Sequence, residues 1–218
     1  MVARDVSGSR YLPALRYPWL TPLFDPVLRV AFRERALKAR LVAQAAPVPG
    51  QRILDLGCGT GTLALLLKQA EPLAQVVGLD GDPKVLAIAC AKAAAANADV
   101  TWDHGMAYEL PYPEGSFDTV LSSLVLHHLT HEDKGRALLE VHRILRPGGS
   151  FHVADFGTPR NGLMKALSRV GGLLEETADG VGGLLPSMFR NAGLEGVEET
   201  AWLNMPLGTV RIWRMFKS

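Results

Sequence analysis

Short apolar runs alternate along this chain with stretches of helical period. Five runs are predicted as strands because they are rich in Val, Ile, Leu, Phe or Trp and are bounded by Gly, Pro or Asp. These strands cover residues 51–56, 74–80, 99–105, 117–123 and 149–156. The helical stretches cover residues 62–70, 83–97 and 131–146. Alternation of strand and helix predicts βαβ units, and so an α/β protein with a mainly parallel sheet and helices on both faces.

The pattern changes beyond residue 156. Residues 157–185 are rich in glycine and small side chains, and we predict an insert that closes over a substrate pocket. A helix ending at Gly193 follows, and the tail is typical of two strands joined by residues 204–207. Such a pair predicts an antiparallel hairpin at the end of the sheet. Within "HRILRPGGSFHV", Pro-Gly-Gly predicts a sharp turn between a helix and the fifth strand.

The N-terminal residues 1–45 are predicted to form an arm of lid helices in front of a domain over 46–218. Repeated prolines in residues 11–26 exclude one regular helix there, and a helix is predicted from near Pro26 to about Ala46. The arm carries eight Arg or Lys against three acidic residues, a net charge of +5. A basic stretch of this kind is more often a solvated face than a binding surface.

Composition narrows the class of protein. A length of 218 residues with 48% hydrophobic content fits one domain with its own core. The 23 basic and 22 acidic side chains leave a net charge of +1, which does not favour a nucleic-acid partner. Cys58 and Cys90 are too few for a disulfide framework and fit free thiols in a reducing compartment. Without a signal peptide or an apolar span, the protein is expected in the cytoplasm.

Three alternating glycines stand between the first strand and the first core helix, in "ILDLGCGTGTLALLL" at residues 53–67. Ligands of open parallel sheets bind at the carboxyl ends of the strands, where a backbone without Cβ atoms can be approached closely. The helix that follows offers unpaired N–H groups to a carboxylate or phosphate. A turn that only packs helix on strand is the alternative. The G-x-G-x-G spacing is neither a dinucleotide fingerprint nor a P-loop.

Two motifs carry a resemblance to a known family. "LDLGCGTG" resembles the first motif of class I S-adenosylmethionine (AdoMet) methyltransferases, and "ELPYPEGSFD" resembles a later motif of their ubiquinone/menaquinone C-methyltransferase branch. The resemblance covers about residues 45–156. It implies a Rossmann-like fold with a mainly parallel seven-stranded sheet, an antiparallel C-terminal hairpin and helices on both faces. It also implies AdoMet as the methyl donor and S-adenosylhomocysteine as the product.

The resemblance implies a cofactor site along these motifs. Asp55 would contact the ammonium group of AdoMet through water, and Asp80, 19 residues after Gly61, would accept hydrogen bonds from the ribose hydroxyls. Asp80 could instead cap the next helix, but Asp82 is better placed to do so. Relatives carry an Asp for the adenine amino group where this chain has Met106, so adenine would rely on packing and backbone groups, or a nearby polar side chain such as Tyr108 or His104 would replace the Asp. The implied site residues are Asp55, Gly57, Cys58, Gly59, Thr60, Gly61, Asp80, Gly81, Met106, Ala107 and Ser122.

Two histidines follow the fourth strand, beside the expected methyl position. Neighbouring residues point in different directions, so at most one faces the substrate, and His127 is the candidate general base. A histidine that only supports the loop is the alternative. Asp155, near the end of the fifth strand, is either a second base or substrate contact, or a carboxylate that caps a loop. His127 and His131 have the spacing of a metal pair on a helix, but no third ligand accompanies them, so no metal is expected.

The methyl acceptor is expected to be small and partly apolar. Aromatic side chains in the arm and the 157–185 insert are placed to close the pocket, although each aromatic side chain could instead only pack the arm onto the sheet. The aromatic side chains are Tyr11, Tyr17, Trp19 and Phe24.

Other functions stay open from the sequence. A non-catalytic AdoMet-binding regulatory protein has the same cofactor motifs. An RNA or protein methyltransferase is less favoured, because no Asn-Pro-Pro-Tyr-like motif follows the fourth strand and no broad basic surface is evident. A membrane-surface enzyme could use the basic N-terminal segment on a lipophilic substrate such as a quinone. The oligomeric state is not predicted.

Overall fold

The computed structural model describes residues 34–159, 178–205 and 208–218. Its helices are α1 (Glu34–Ala45), α2 (Thr62–Ala70), α3 (Pro83–Ala95), α4 (His131–Ile144), α5 (Ala178–Val181) and α6 (Leu185–Asn191), with a 3-10 turn at Leu126–His128. Its strands are β1 (Arg52–Leu56), β2 (Gln75–Asp80), β3 (Val100–His104), β4 (Phe117–Ser123), β5 (Leu145–Gly157), β6 (Glu195–Met205) and β7 (Gly208–Phe216).

The strands form one seven-stranded sheet in the order β3-β2-β1-β4-β5-β7-β6. The first five strands pair in parallel, whereas β7 runs antiparallel to both β5 and β6. The predicted mainly parallel sheet with an antiparallel C-terminal hairpin is confirmed. Strand order reverses between β1 and β4, and open α/β sheets bind ligands at such a point.

Two apolar cores cover the two faces of the sheet. On one face Leu37 and Leu41 of α1 are fully buried with Leu63 and Leu67 of α2. On the other face α4 and α6 pack against the sheet, with Phe189 fully buried. Alternate side chains of each strand enter opposite cores because the side-chain period of a strand is two. Asp55 therefore lies on the α1 and α2 face, between Leu54 and Leu56 of the other core.

The prediction that Pro-Gly-Gly forms a turn ahead of the fifth strand is wrong about where that strand begins. Strand β5 begins at Leu145 and continues through these residues, although its pairing with β4 shifts register between Leu145 and Ser150. Gly148 has a φ of +77°, and its N–H donates to the Lys217 carbonyl at 2.8 Å. Main-chain pairing with the C-terminus therefore extends the strand where the local signal predicts an end.

The predicted connection of the hairpin at residues 204–207 is too long. Strand β6 extends to Met205, and Asn204 pairs with Thr209 of β7. Antiparallel pairing with a long partner overrides the weak local preference of these residues for strand.

Other predictions fall outside the described residues. These are the start of the N-terminal helix near Pro26, the aromatic side chains of the arm and most of the 157–185 insert. The division into an arm over 1–45 and a domain over 46–218 stays a prediction, although α1 packs into the core with α2. Among the described residues, no helix is both long and apolar enough to cross a lipid bilayer.

Candidate ligand and active site

A cavity of about 370 Å³ opens at the carboxyl ends of β1, β2 and β4. The glycine loop after β1 forms one wall, together with residues 79–82 at the end of β2 and residues 105–108 after β3. The opposite wall consists of residues 123–125 and 128–130 after β4. Helix α1 closes one side with Glu34 and Lys38. The predicted loops meet in one place, as the strand order requires.

The three glycines of the loop serve different purposes. A Cβ at Gly57 would lie 2.4 Å from Val125 Cγ2, and one at Gly61 would lie 2.5 Å from Trp102 Cη2. These two positions need glycine for packing, and both also have a positive φ. At Gly59 a Cβ would meet nothing within 4 Å, and Gly59 lines the cavity. Only Gly59 of the three therefore leaves its space open to a ligand; Gly61 is not part of the lining.

Asp55 lies directly behind the loop. Its side chain is buried, and its Oδ2 accepts a hydrogen bond from the Ala64 N–H in the first turn of α2 at 3.0 Å. Burial raises the pKa of Asp55 to about 7, against the lowering effects of the Lys38 charge and the Ala64 N–H. Asp55 does not itself line the cavity. A contact through water, as the resemblance implies, stays a prediction.

Asp80 lines the cavity at the end of β2 and also organises the loop. Its Oδ2 accepts from the Gly59 N–H at 2.8 Å, and its Oδ1 accepts from the Asp82 N–H at 2.9 Å. Burial raises the pKa of Asp80, and these backbone donors oppose the rise. Asp82 caps α3 by accepting from the Lys84 N–H at 2.8 Å, as predicted. Each Asp80 oxygen keeps a lone pair for a further donor.

Two other loop residues face inward. The Cys58 thiol is buried, and burial, followed by Asp55 and Asp80, raises its pKa far above the ordinary value, so it is an unreactive thiol. Thr60 is buried, and its hydroxyl accepts from Lys92 Nζ at 3.1 Å. Both residues also form part of the cavity wall.

The loop after β3 lines a further part of the cavity. Met106 and Ala107 line it with Gly81 and Tyr108. The Gly105 N–H donates to the Asp80 carbonyl at 3.1 Å, which ties this loop to the end of β2. The Arg136 guanidinium lies 4.8 Å from the centre of the Tyr108 ring.

The end of β4 presents a different serine from the predicted one. Ser122 is fully buried and does not line the cavity, whereas Ser123 does. Neither side-chain oxygen has a hydrogen-bond partner within the described part of the chain. A buried hydroxyl without a partner is unfavourable, so the Ser123 oxygen fits a site that a ligand completes.

The predicted pair His127 and Asp155 forms a buried structural unit. Asp155 Oδ1 accepts from His127 Nδ1 at 2.8 Å, and Asp155 Oδ2 accepts from the N–H groups of Val125 and Leu126. Burial raises the pKa of Asp155, but His127 and the Phe156 N–H outweigh it and hold this pKa below the ordinary value. This geometry is that of a carboxylate capping a loop. Neither side chain lines the cavity, and a catalytic role for them stays a prediction.

His128 is the histidine that lines the cavity. Its ring centre lies 4.1 Å from that of His127. Burial and the neighbouring His127 lower the pKa of His128 to about 3, against the effect of Asp155. The imidazole is therefore neutral at physiological pH and can accept a hydrogen bond.

Two charged residues of α1, Glu34 and Lys38, were not predicted to belong to the site. Glu34 and Lys38 are 6% and 8% exposed and form an ion pair that lines the cavity. Their spacing with Leu37 and Leu41 is i, i+3, i+4 and i+7, which places all four on one helix face. The sequence does contain a signal for this role, because two charged residues occupy positions on the apolar face of the predicted helix.

The histidines have separate partners. His127 pairs with Asp155, and His131 Nδ1 hydrogen bonds to Asp179 at 2.9 Å. Across the part of the chain that the structure describes, no group of three or more His, Cys, Asp or Glu side chains is placed to hold a metal ion.

Comparison with known proteins places this geometry in a family. A family model described as a methyltransferase domain matches residues 53–149. The demethylmenaquinone methyltransferase of Thermus thermophilus is 38% identical over 176 residues, which cover 81% of this chain and 76% of that protein. The ubiquinone/menaquinone biosynthesis C-methyltransferase of Rubrivivax gelatinosus is 40% identical over 125 residues, 57% of this chain and 47% of that protein.

Solved structures share the fold at low identity. The magnesium protoporphyrin IX methyltransferase of Synechocystis, solved with bound SAH, has a TM-score of 0.64 at 24% identity and covers 84% of this chain and 81% of its own. The YcgJ protein of Bacillus subtilis has a TM-score of 0.67 at 18% identity, with coverage of 84% and 98%.

Fold and sequence together define a class I methyltransferase. The chain belongs to this family, and within it the chain is similar to the ubiquinone/menaquinone C-methyltransferases.

Proposed function

We propose that the protein transfers a methyl group from AdoMet to a small, partly apolar acceptor. The observation that carries this proposal is that Gly59, Asp80 and the 105–108 loop line one cavity together with an apolar wall formed by Leu124, Val125 and Leu129. The first three features suit a nucleoside with an amino-acid tail. The apolar wall suits a second, less polar molecule beside it.

The residues present fit AdoMet. Gly59 leaves open space beside the backbone, and each Asp80 oxygen has a lone pair available to a ribose hydroxyl. Ser123 offers a buried hydroxyl without a partner in the described chain. Met106 and Ala107 provide an apolar contact for adenine, and the backbone of the 105–108 loop provides its polar groups.

The protein's contribution to such a reaction is alignment and exclusion of water. AdoMet, when bound, supplies a methyl group on a sulfonium, which is already activated for in-line transfer. Alignment of two reactants can lower a barrier by roughly 7–11 kcal/mol, so no dedicated catalytic residue is required. The neutral imidazole of His128 at the cavity wall can accept a hydrogen bond from the acceptor, although its lowered pKa makes it a weak base for removing a proton. The His127–Asp155 unit behind it holds the loop in place.

The acceptor class rests on the relatives and on the apolar wall. Relatives are named for demethylmenaquinone and for 2-phytyl-1,4-naphthoquinone, both ring compounds with apolar character. In this chain Leu124, Val125 and Leu129 line the cavity on the β4 side. We therefore propose a quinone-like or other apolar ring acceptor.

Replacement of Asp80 by Asn tests the cofactor assignment. Loss of the hydrogen bonds to the ribose should weaken S-adenosylhomocysteine binding by about 1–3 kcal/mol, measured by calorimetry. Methylthioadenosine retains the ribose and should lose affinity to the same degree. Asp99→Asn, at an exposed position after α3, is the matched control. Unchanged affinity in a folded Asp80→Asn variant would contradict the assignment.

Transfer itself is tested with AdoMet labelled on the methyl group. We expect label in an apolar ring acceptor or in the apolar fraction of a metabolite extract. Tight S-adenosylhomocysteine binding with no labelled product from any acceptor would instead favour a non-catalytic AdoMet-binding protein.

A further inference from the structure

We infer that the Glu34–Lys38 pair of α1 is the binding site for the zwitterionic end of the cofactor: Lys38 takes the carboxylate and Glu34 the ammonium group. The inference rests on the proposed function, since it names how this chain holds AdoMet and S-adenosylhomocysteine. Both residues lie outside the region that the family model matches, which begins at residue 53.

The burial of this pair is unusual for the helix that carries it. Of the four charged side chains of α1, those of Arg35 and Arg40 are exposed. Lys38 and Glu34 instead lie on the buried face with the fully buried Leu37 and Leu41. Replacing a buried ion pair by apolar residues of similar size is often neutral or stabilising. Packing of α1 alone therefore does not account for two charges on this face.

The pair lies at the correct end of the cavity. It lines the cavity together with Gly57, Cys58 and Gly59 of the loop. The Lys38 charge opposes the rise that burial causes in the pKa of Asp55 and of Cys58, two residues at the carboxyl end of β1. Asp80 and the 105–108 loop, which suit the ribose and adenine, lie at the carboxyl ends of β2 and β3, on the other side of β1 from the strands β4 and β5 that α1 contacts.

The charges of the pair match those of the ligand's tail. S-adenosylhomocysteine carries one carboxylate and one ammonium on the same carbon, so two adjacent protein charges of opposite sign can bind both. In the free protein Lys38 and Glu34 neutralise each other. On binding, each exchanges its protein partner for a ligand group, and every charge keeps a partner. The desolvation cost of a buried charge then falls mainly on folding and only slightly on ligand binding.

Calorimetry with two ligands separates this role from general support of the fold. One ligand is S-adenosylhomocysteine, and the other is its decarboxylated analogue, 5′-deoxy-5′-(3-aminopropylthio)adenosine. Lys38→Met should lose about 10- to 100-fold in affinity for S-adenosylhomocysteine, the range of a charge-assisted hydrogen bond. The same variant should bind the decarboxylated analogue as wild type does, or more tightly, because the analogue has no carboxylate for Lys38 to hold.

Three further variants keep the test decisive. Arg40→Met removes the same charge from an exposed position of α1 and should change neither affinity. Glu34→Gln with Lys38→Met removes both charges, so no single charge is left buried, and it should keep the loss for S-adenosylhomocysteine if Lys38→Met alone does not fold. Lys38→Arg should retain the preference for the carboxylate-bearing ligand.

The outcomes differ for the two proposals. If the Lys38 variants weaken both ligands equally, or weaken neither, the inference is overturned while AdoMet binding stands. If the wild-type protein binds neither ligand, the proposed function fails, and the inference fails with it.

Discussion

The carboxyl groups of Asp55 and Asp80 support the backbone around the glycine loop, and both are candidates for contact with the ligand. Asp55 caps α2 through the Ala64 N–H, and Asp80 holds the Gly59 N–H. Burial raises the pKa of both side chains, because a carboxylate loses hydration when it is enclosed. A cationic ligand group close to either side chain stabilises its charged form, which burial disfavours.

The raised pKa of Asp55 predicts a pH dependence of ligand binding. Near pH 7 the Asp55 carboxyl is partly protonated in the free protein, and the ammonium group of S-adenosylhomocysteine, bound at Glu34 close by, favours the charged form of Asp55. Binding therefore releases a proton, and affinity should fall by up to about tenfold for each pH unit below 7. Titration calorimetry in buffers of different ionisation enthalpy measures the released proton. In Asp55→Asn this dependence should disappear, while Asp99→Asn should retain it.

At the scale of elements, the packing between β2 and β3 depends on a glycine in β2, which has no side chain. Gly78 of β2 is paired with Trp102 of β3, and a Cβ at Gly78 would lie 2.5 Å from Trp102 Cζ3. The same ring covers Gly61 at the start of α2. The Trp102 ring thus packs over both Gly78 and Gly61. This packing sets how closely β3 approaches β2 and the start of α2.

Overpacking at this contact gives a prediction on stability. Gly78→Ala should lower the free energy of unfolding by about 1–3 kcal/mol. The penalty should shrink in a Trp102→Leu background, because the clash is with that ring. Gly135→Ala, in α4 with nothing within 4 Å, should instead stabilise the protein by about 0.5–1 kcal/mol. Equal penalties for Gly78→Ala in both backgrounds, measured by urea unfolding, would exclude the proposed contact.

Across the whole molecule, the cavity joins segments that are far apart in the sequence. Its walls come from α1 and from the loops after β1, β2, β3 and β4. The β6–β7 hairpin lies at one edge of the sheet and contributes no residue to the described lining. Ligand binding should therefore tighten one side of the molecule only.

Hydrogen exchange tests this division. Saturating S-adenosylhomocysteine should slow exchange in α1 and in residues 57–60, 80–82 and 105–108, and leave the β6–β7 hairpin unchanged. The same ligand at 100 times its Kd should add about 2.7 kcal/mol to the free energy of unfolding, seen as a rise in Tm. Protection of the hairpin without protection of α1 would contradict the described cavity.

The sequence by itself determined the kind and order of the elements, the mainly parallel sheet and the strand-end loops that line the cavity. These follow from the period of apolar residues and from glycines and acidic residues at strand ends, which are local properties. Tertiary structure decided which side chains enter the cavity. Ser123 and His128 line it in place of the predicted Ser122 and His127, because successive side chains point to opposite faces in β4 and about 120° apart in the 3-10 turn.

The contribution of α1 likewise came only from the tertiary structure. Local periodicity shows that Lys38 shares a face with Leu41, but not that this face meets the carboxyl end of β1. That contact joins residues distant along the chain, and packing of α1 against α2 and β5 sets it. The physical reason is that secondary structure depends on neighbours along the chain, whereas a site depends on which surfaces meet in space.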